Sequence, residues 1–228
     1  MRGTGTIVNV LTVLAGSGIG ILAGPRLPER IRTTLLQGLG LVVIVIGITN
    51  ATQTRNITFP LVSLVLGGLA GEVLQIEEGL ASLGERLQRV ASSRSSTFVE
   101  GFVTSSLIFC VGPLTILGSI QDGLGRGSQT LIVKAALDGT AALVFASTLG
   151  IGVAFSALTV LVIQGGLTLA ASGANSVLTN RMIEELTATG GIMIIGIGLR
   201  LLEIKTIRVA SFLPALLLAP IGVALFAR

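Results

Sequence analysis

Long apolar runs recur along this chain and leave it few folds. They cover about residues 6–24, 33–49, 57–74, 99–120, 131–157, 158–171, 186–202 and 209–226. Most approach the roughly 20 residues with which an α-helix crosses the hydrocarbon core of a bilayer. Only 11% of the 228 residues are charged, and mean hydropathy is +0.92. A soluble domain carries about 25% charged residues, so this chain cannot dress a water-facing surface of ordinary composition. A transmembrane barrel would alternate polar and apolar residues and carry aromatic girdles. Here the runs are continuous, and Trp and Tyr are absent. The expected class is all-α: one integral membrane domain over residues 1–228, a polytopic transmembrane helix bundle of about eight membrane segments. Residues 158–171 form the shortest of these and are open to a re-entrant reading.

Glycine is abundant, at 31 residues. Gly16, Gly20 and Gly24 fall four apart, as do Gly67 and Gly71. That spacing bares backbone on one helix face, where a neighbouring helix of the same chain or of a second copy can approach closely. Residues 77–97 are the polar exception. Leu80, Leu83, Leu87 and Val90 recur at helical spacing among Glu78, Glu85, Arg86 and Arg89, which marks a short amphipathic helix at the membrane surface and a linker between two halves.

If all eight segments cross, Arg26, Arg30, Arg32, Arg86, Arg89, Arg94, Arg200, Lys205 and Arg208 share one side. The positive-inside rule makes that side cytoplasmic and places both termini outside. Residues 38–48 resemble residues 189–199, each followed by a charged turn and then a helix containing Pro60 or Pro214. In an eight-span topology these copies run in opposite directions, as in inverted-repeat transporters. Gly18-Ile-Gly20 also resembles Gly150-Ile-Gly152, in helices running the same way, so the repeat does not close over the full length.

Several functions are excluded or unsupported. There is no histidine, hence no histidine base and none of the common His-containing zinc sites. Cys110 is the sole cysteine, so no intrachain disulfide forms. No basic stripe with interleaved aromatics points to nucleic acid. No nucleophile is marked out beside a base, so neither an enzyme nor a cofactor is expected.

Chemistry concentrates in FVEGFVTSSLIFCVGPLTILGSIQDGL, residues 98–124, and in the segment after it. Glu100, Thr104, Ser105, Ser106 and Cys110 precede a Gly112-Pro113 break, and Gln121 and Asp122 close the stretch. Pro113 removes one helical N–H and frees the carbonyl of Phe109, raw material for a cation or polar-solute site. A harmless proline kink is the alternative. Thr104, Ser105 and Ser106 can also bond back to carbonyls one turn earlier. Lys134 and Asp138 lie one helical turn apart in the next segment, and pairing lowers the cost of placing either in lipid. Asp138 is the leading candidate for an ion-coupling group, against a plain interhelical hydrogen bond. Asn9 and Gln164 read as isolated polar groups.

The 98–124 string resembles the YqgA/YdfK-like bacterial inner-membrane proteins, grouped as domain of unknown function 554. So do Gly5-Thr-Ile-Val-Asn9, Leu137-Asp-Gly139, FASTLGIG at 145–152 and LPALLLAP at 213–220. The resemblance spans essentially the whole chain. It implies a multi-pass protein of the bacterial inner membrane and brings no activity with it. From the residues, the leading expectation is a transporter or channel for a small ion or polar solute. The alternative is a non-transporting scaffold or regulatory subunit. The partners expected are the lipid bilayer, that solute and, left open, a second copy.

Overall fold

The chain packs its helices in antiparallel and parallel couples whose closest backbone approaches fall at glycines. The computed structural model describes residues 2–93, 95–110, 112–171 and 178–226. Among these every regular element is helical: α1 (Thr4–Ala23), α2 (Glu29–Ala51), α3 (Thr58–Val73), α4 (Ile76–Val90), α5 (Phe98–Cys110), α6 (Pro113–Gly123), α7 (Gln129–Leu149), α8 (Gly152–Leu169), α9 (Asn180–Leu201) and α10 (Ala215–Phe226). Short 3-10 turns occupy Gly24–Arg26 and Val209–Phe212. Among the described residues six stretches are long and apolar enough to cross a membrane alone. Two bent pairs, α3 with α4 at 59° and α5 with α6 at 63°, raise the count to as many as eight. The all-α polytopic class read from the sequence is the observed one.

Some boundaries move. The run over 131–157 was expected as one span, but α7 ends at Leu149 and Gly150 takes a φ of 77°, where a side chain would be strained. The following helix therefore starts at Gly152 rather than 158, and at 18 residues is long enough to cross. The polar stretch expected over 172–185 contains residues 172–177, which lie outside those described; from Asn180 onward it is the first turns of α9. Thr179 caps that helix, its hydroxyl accepting from the Met182 N–H at 3.3 Å.

The buried face of α1 is Gly5, Thr6, Asn9, Val13, Gly16, Ser17 and Gly20, while Ile7, Leu11, Leu14 and Ile19 are exposed. This inverts the soluble pattern. Lipid is as apolar as leucine, so burying leucine gains little; close backbone contact and interhelical hydrogen bonds decide the inward face.

The helices group into two compact units, each drawn from both sides of the 82–176 stretch or containing it. The first comprises residues 1–37 and 82–176, the second residues 38–81 and 177–228. In the first unit α1 and α7 run parallel: a Cβ on Gly16, Gly20 or Gly24 would strike the carbonyl oxygens of Gly139, Leu143 and Ser147 in turn. There α8 runs antiparallel to α1, with Thr168 beside Thr6 and Gln164 beside Asn9.

In the second unit α2 and α9 are antiparallel. Gly40 meets Gly198, and Gly47 meets Gly191. In the alignment of residues 38–48 with 189–199, Gly40 matches Gly191 and Gly47 matches Gly198. The contacts are thus the crossed ones that a local two-fold relation requires. α3 lies antiparallel to the Val209–Phe212 turn and α10, with Gly71 against the Ser211 carbonyl and Gly67 against Ala215. The Phe212 ring covers Gly68, and the Phe59 ring covers Gly222.

Candidate polar site in the first unit

The inward faces of α1, α7 and α8 assemble one buried polar network. On α7, Lys134 and Asp138 are both buried and form an ion pair along the helix. The Asn9 amide on α1 donates to Asp138 Oδ2 at 2.9 Å and to Gln164 Oε1 at 2.9 Å. Gln164 on α8 donates to the Thr6 hydroxyl at 3.3 Å, and Thr6 and Thr168 share a hydrogen bond of 3.2 Å. Thr168 in turn donates to the Gln164 carbonyl at 2.8 Å. Asn9 and Gln164 are fully buried. The expectation that they are isolated is therefore corrected. Each is a lone polar group in its own apolar run, but packing α1 against α7 and α8 brings both to Asp138. A buried network of this kind is stable only when nearly every member finds a partner, because an unpaired polar group in low dielectric is costly.

The broken helix stands next to this network. Cys110, half-buried and free, ends α5; before the break the Phe109 ring meets Phe145 of α7 at 6.3 Å, and after it Gly118 lies against Leu131, positions of α7 that bracket Lys134 and Asp138. Gly112 is extended, and α6 begins at Pro113. The carbonyl of Phe109, freed by Pro113, accepts from the buried Thr115 hydroxyl at 3.2 Å. Thr115, Ser119 and Asp122 follow at helical spacing as the buried polar stripe of α6. Asp122 Oδ2 accepts the Gly5 N–H at 3.0 Å, satisfying one orphan donor at the positive end of α1.

The other candidates fall as follows. Ser105 bonds back to the Gly101 carbonyl at 2.5 Å, and Ser106 pairs with Thr159 of α8 at 3.0 Å. Thr104 is buried on α5; Glu100 is half-buried in its first turn and has a partner. Gln121 is exposed and accepts from Thr130 at 2.7 Å. The structure thus unites Lys134 and Asp138 with Asn9, Gln164, Thr6 and Thr168, and uses Ser105, Ser106 and Asp122 in helix-to-helix or helix-to-backbone bonds. Thr6 and Thr168 escaped sequence reasoning, because a threonine in an apolar run can always satisfy itself on its own helix.

The second unit carries a different polar device at each end. Glu185 is fully buried and accepts from the Thr54 hydroxyl at 2.5 Å, the Arg55 N–H at 2.9 Å and the Asn56 N–H at 3.3 Å. Glu184 holds the Arg55 side chain with two bonds, at 2.5 and 2.8 Å. At the opposite ends of these antiparallel helices, Arg208 pairs with Glu72 and Glu78, and Glu77 accepts the Ala210 N–H at 2.8 Å. In both places two adjacent glutamates serve one arginine-bearing turn, one on the guanidinium and one on the backbone. Nothing in the spacing of these segments announced that.

Comparison with known proteins is consistent over nearly the full length. Residues 4–224 match the model of the family described as "Protein of unknown function (DUF554)". The chain is 34% identical to the "Uncharacterized membrane protein YdfK" of Bacillus subtilis (strain 168), over 95% of this chain and 94% of that one. It is 33% identical to the "Uncharacterized protein YqgA" of Escherichia coli (strain K12), over 94% of each. No solved structure matches.

Proposed function

The chain belongs to the DUF554 family of proteins of unknown function, and on that premise we propose that this membrane protein is a transporter or channel for a small ion or polar solute. The observation that carries the reading is the buried Lys134–Asp138 pair, bonded through Asn9 to Gln164, on the stretch of α7 that Phe109 and Gly118 bracket from either side of the break between α5 and α6. Ionisable groups inside a membrane are expensive, and where they persist they characteristically mark a path for ions or protons. A broken helix at the same place offers backbone groups that a continuous helix keeps for itself. In this reading Asp138 supplies the charge that the solute exchanges against, and Asn9, itself anchored on Gln164, holds its carboxylate in position.

The test is flux through proteoliposomes, followed by a potential-sensitive dye for monovalent ions and by swelling for small polar solutes. Asp138→Asn is expected to abolish the flux while leaving a monodisperse protein in detergent. Equal flux in wild type and variant sinks the role of Asp138.

A scaffold or regulatory subunit is the second reading. It draws on the Phe109 carbonyl being taken up by Thr115 and on Asp138 Oδ2 being shared by Lys134 and Asn9. Satisfied groups of this kind also build a static core. Recovery of a stoichiometric second protein in mild detergent, with no solute moved, would favour it.

A further inference from the structure

We propose that the Asp138 network is a binding site for one monovalent alkali cation, and that the Lys134 ammonium is a tethered competitor for it. The proposal rests on the transport reading above and gives its solute a chemical class.

The first observation is the Asn9 amide. Its nitrogen donates to two acceptors, Asp138 Oδ2 and Gln164 Oε1, which decides the orientation of the group. The opposite orientation would aim an oxygen at two other oxygens. Asn9 Oδ1 is thereby left fully buried with no hydrogen-bond partner. The two heteroatoms of one planar amide are held close together, so this orphan acceptor sits at the edge of the same network. A buried acceptor without a donor is costly unless something positive reaches it.

The second observation is the donor set. Asp138, Asn9 Oδ1, Gln164 Oε1 and the Thr6 hydroxyl present oxygen alone, with neither sulfur nor imidazole among them. Oxygen-only sites suit hard cations. Apart from Lys134 the set carries a single negative charge. Divalent ions are usually held by more than one carboxylate, and among the described residues no group of three or more His, Cys, Asp or Glu is placed to hold a metal ion. One carboxylate with neutral oxygens matches one positive charge.

The third observation is the occupant already present. Lys134 places an ammonium, a compact point charge on a flexible four-carbon stem, against Asp138. Buried charge must stay balanced, so a cation enters as the ammonium withdraws, and the site is neutral before and after. Because the ammonium is attached one helical turn away, it competes at a high effective concentration and weakens binding of the free ion. A lysine that merely stabilised the bundle would have no such effect.

The experiment measures binding of radioactive sodium to the full chain in detergent, with potassium, lithium and choline as competitors. Wild type is expected to bind sodium, displaced by potassium or lithium and not by choline. Lys134→Met, which keeps the stem and removes the charge, should bind at least about tenfold more tightly. Asp138→Asn should lose binding, and Asn9→Leu should weaken it. Should Lys134→Met not yield monodisperse protein, Lys134→Gln serves the same comparison, and the wild-type measurement stands independently. Absence of competable sodium binding in wild type, retention of it in Asp138→Asn, or unchanged or weaker binding on removal of the Lys134 charge overturns the proposal. Sodium binding without flux would instead overturn the transport reading alone, and solute flux without sodium binding would overturn this inference alone.

Discussion

Gly47 and Gly191 face each other with no room for a side chain on either. A Cβ on Gly47 would lie 2.8 Å from the Gly191 carbonyl oxygen, and one on Gly191 would lie 2.7 Å from the Gly47 carbonyl oxygen. The contact is between backbones, which cannot yield as the end of a flexible side chain can. Gly47→Leu or Gly191→Leu should therefore force α2 and α9 apart and destabilise the second unit by about 1–3 kcal/mol, the usual range for overpacking. Thermal unfolding in detergent reads this. Gly18→Ala is the control: nothing lies within 4 Å of its added Cβ, so α1 should be unchanged or slightly stabilised. A Gly18→Ala loss as large as that of Gly191→Leu would show that the glycines act through something other than close approach.

Glu185 and Arg55 make opposite predictions although they share one turn. Removing the Glu185 carboxylate takes the acceptor from the Thr54 hydroxyl and the Arg55 N–H, while the Asn56 N–H keeps the Thr54 hydroxyl at 3.1 Å. Glu185→Ala should cost about 1–3 kcal/mol per group left buried and unpaired. Glu185→Gln keeps one acceptor oxygen and should lose less. The Arg55 side chain is exposed, so Arg55→Ala should leave the melting temperature nearly unchanged. Comparable losses for Arg55→Ala and Glu185→Ala would overturn this division of labour.

Asn9 and Gln164 should behave as one unit. In a double-mutant cycle with Asn9→Leu and Gln164→Leu, the second substitution should cost less once the first is made, with a coupling of about 0.5–2 kcal/mol. Strict additivity would mean that the 2.9 Å bond between them contributes nothing.

Thr115 is expected to hold the break together. Thr115→Val keeps the volume and strands the Phe109 carbonyl, at a cost of about 1 kcal/mol, and Thr115→Ser should restore most of it. Protease accessibility at the α5–α6 junction gives a second readout: cleavage should rise with valine and fall again with serine.

The helical class and the break at Gly112-Pro113 were legible because both obey local rules. A span is set by the length of an apolar run, and a proline lacks its N–H wherever it sits. The end of α7 was not legible. Residues 149–155 are apolar without interruption, and only the positive φ of Gly150 divides them. The ion pair was half legible: Lys134 and Asp138 are one turn apart on a single helix, so sequence alone joins them. Asn9, which joins them, lies 129 residues from Asp138 and 155 from Gln164, and no periodicity connects such positions.

The chain's own residues thus determined that it is a helical membrane protein, that one of its apolar segments breaks at Gly112-Pro113, and that an ion pair lies one turn apart in the next. Those properties depend on each segment's exchange with lipid and on its own backbone. Tertiary structure alone decided which polar groups meet. In lipid every polar group needs a protein partner, and the choice among several hydroxyls, amides and carboxylates depends on how closely glycine-lined helices approach and in which direction they run.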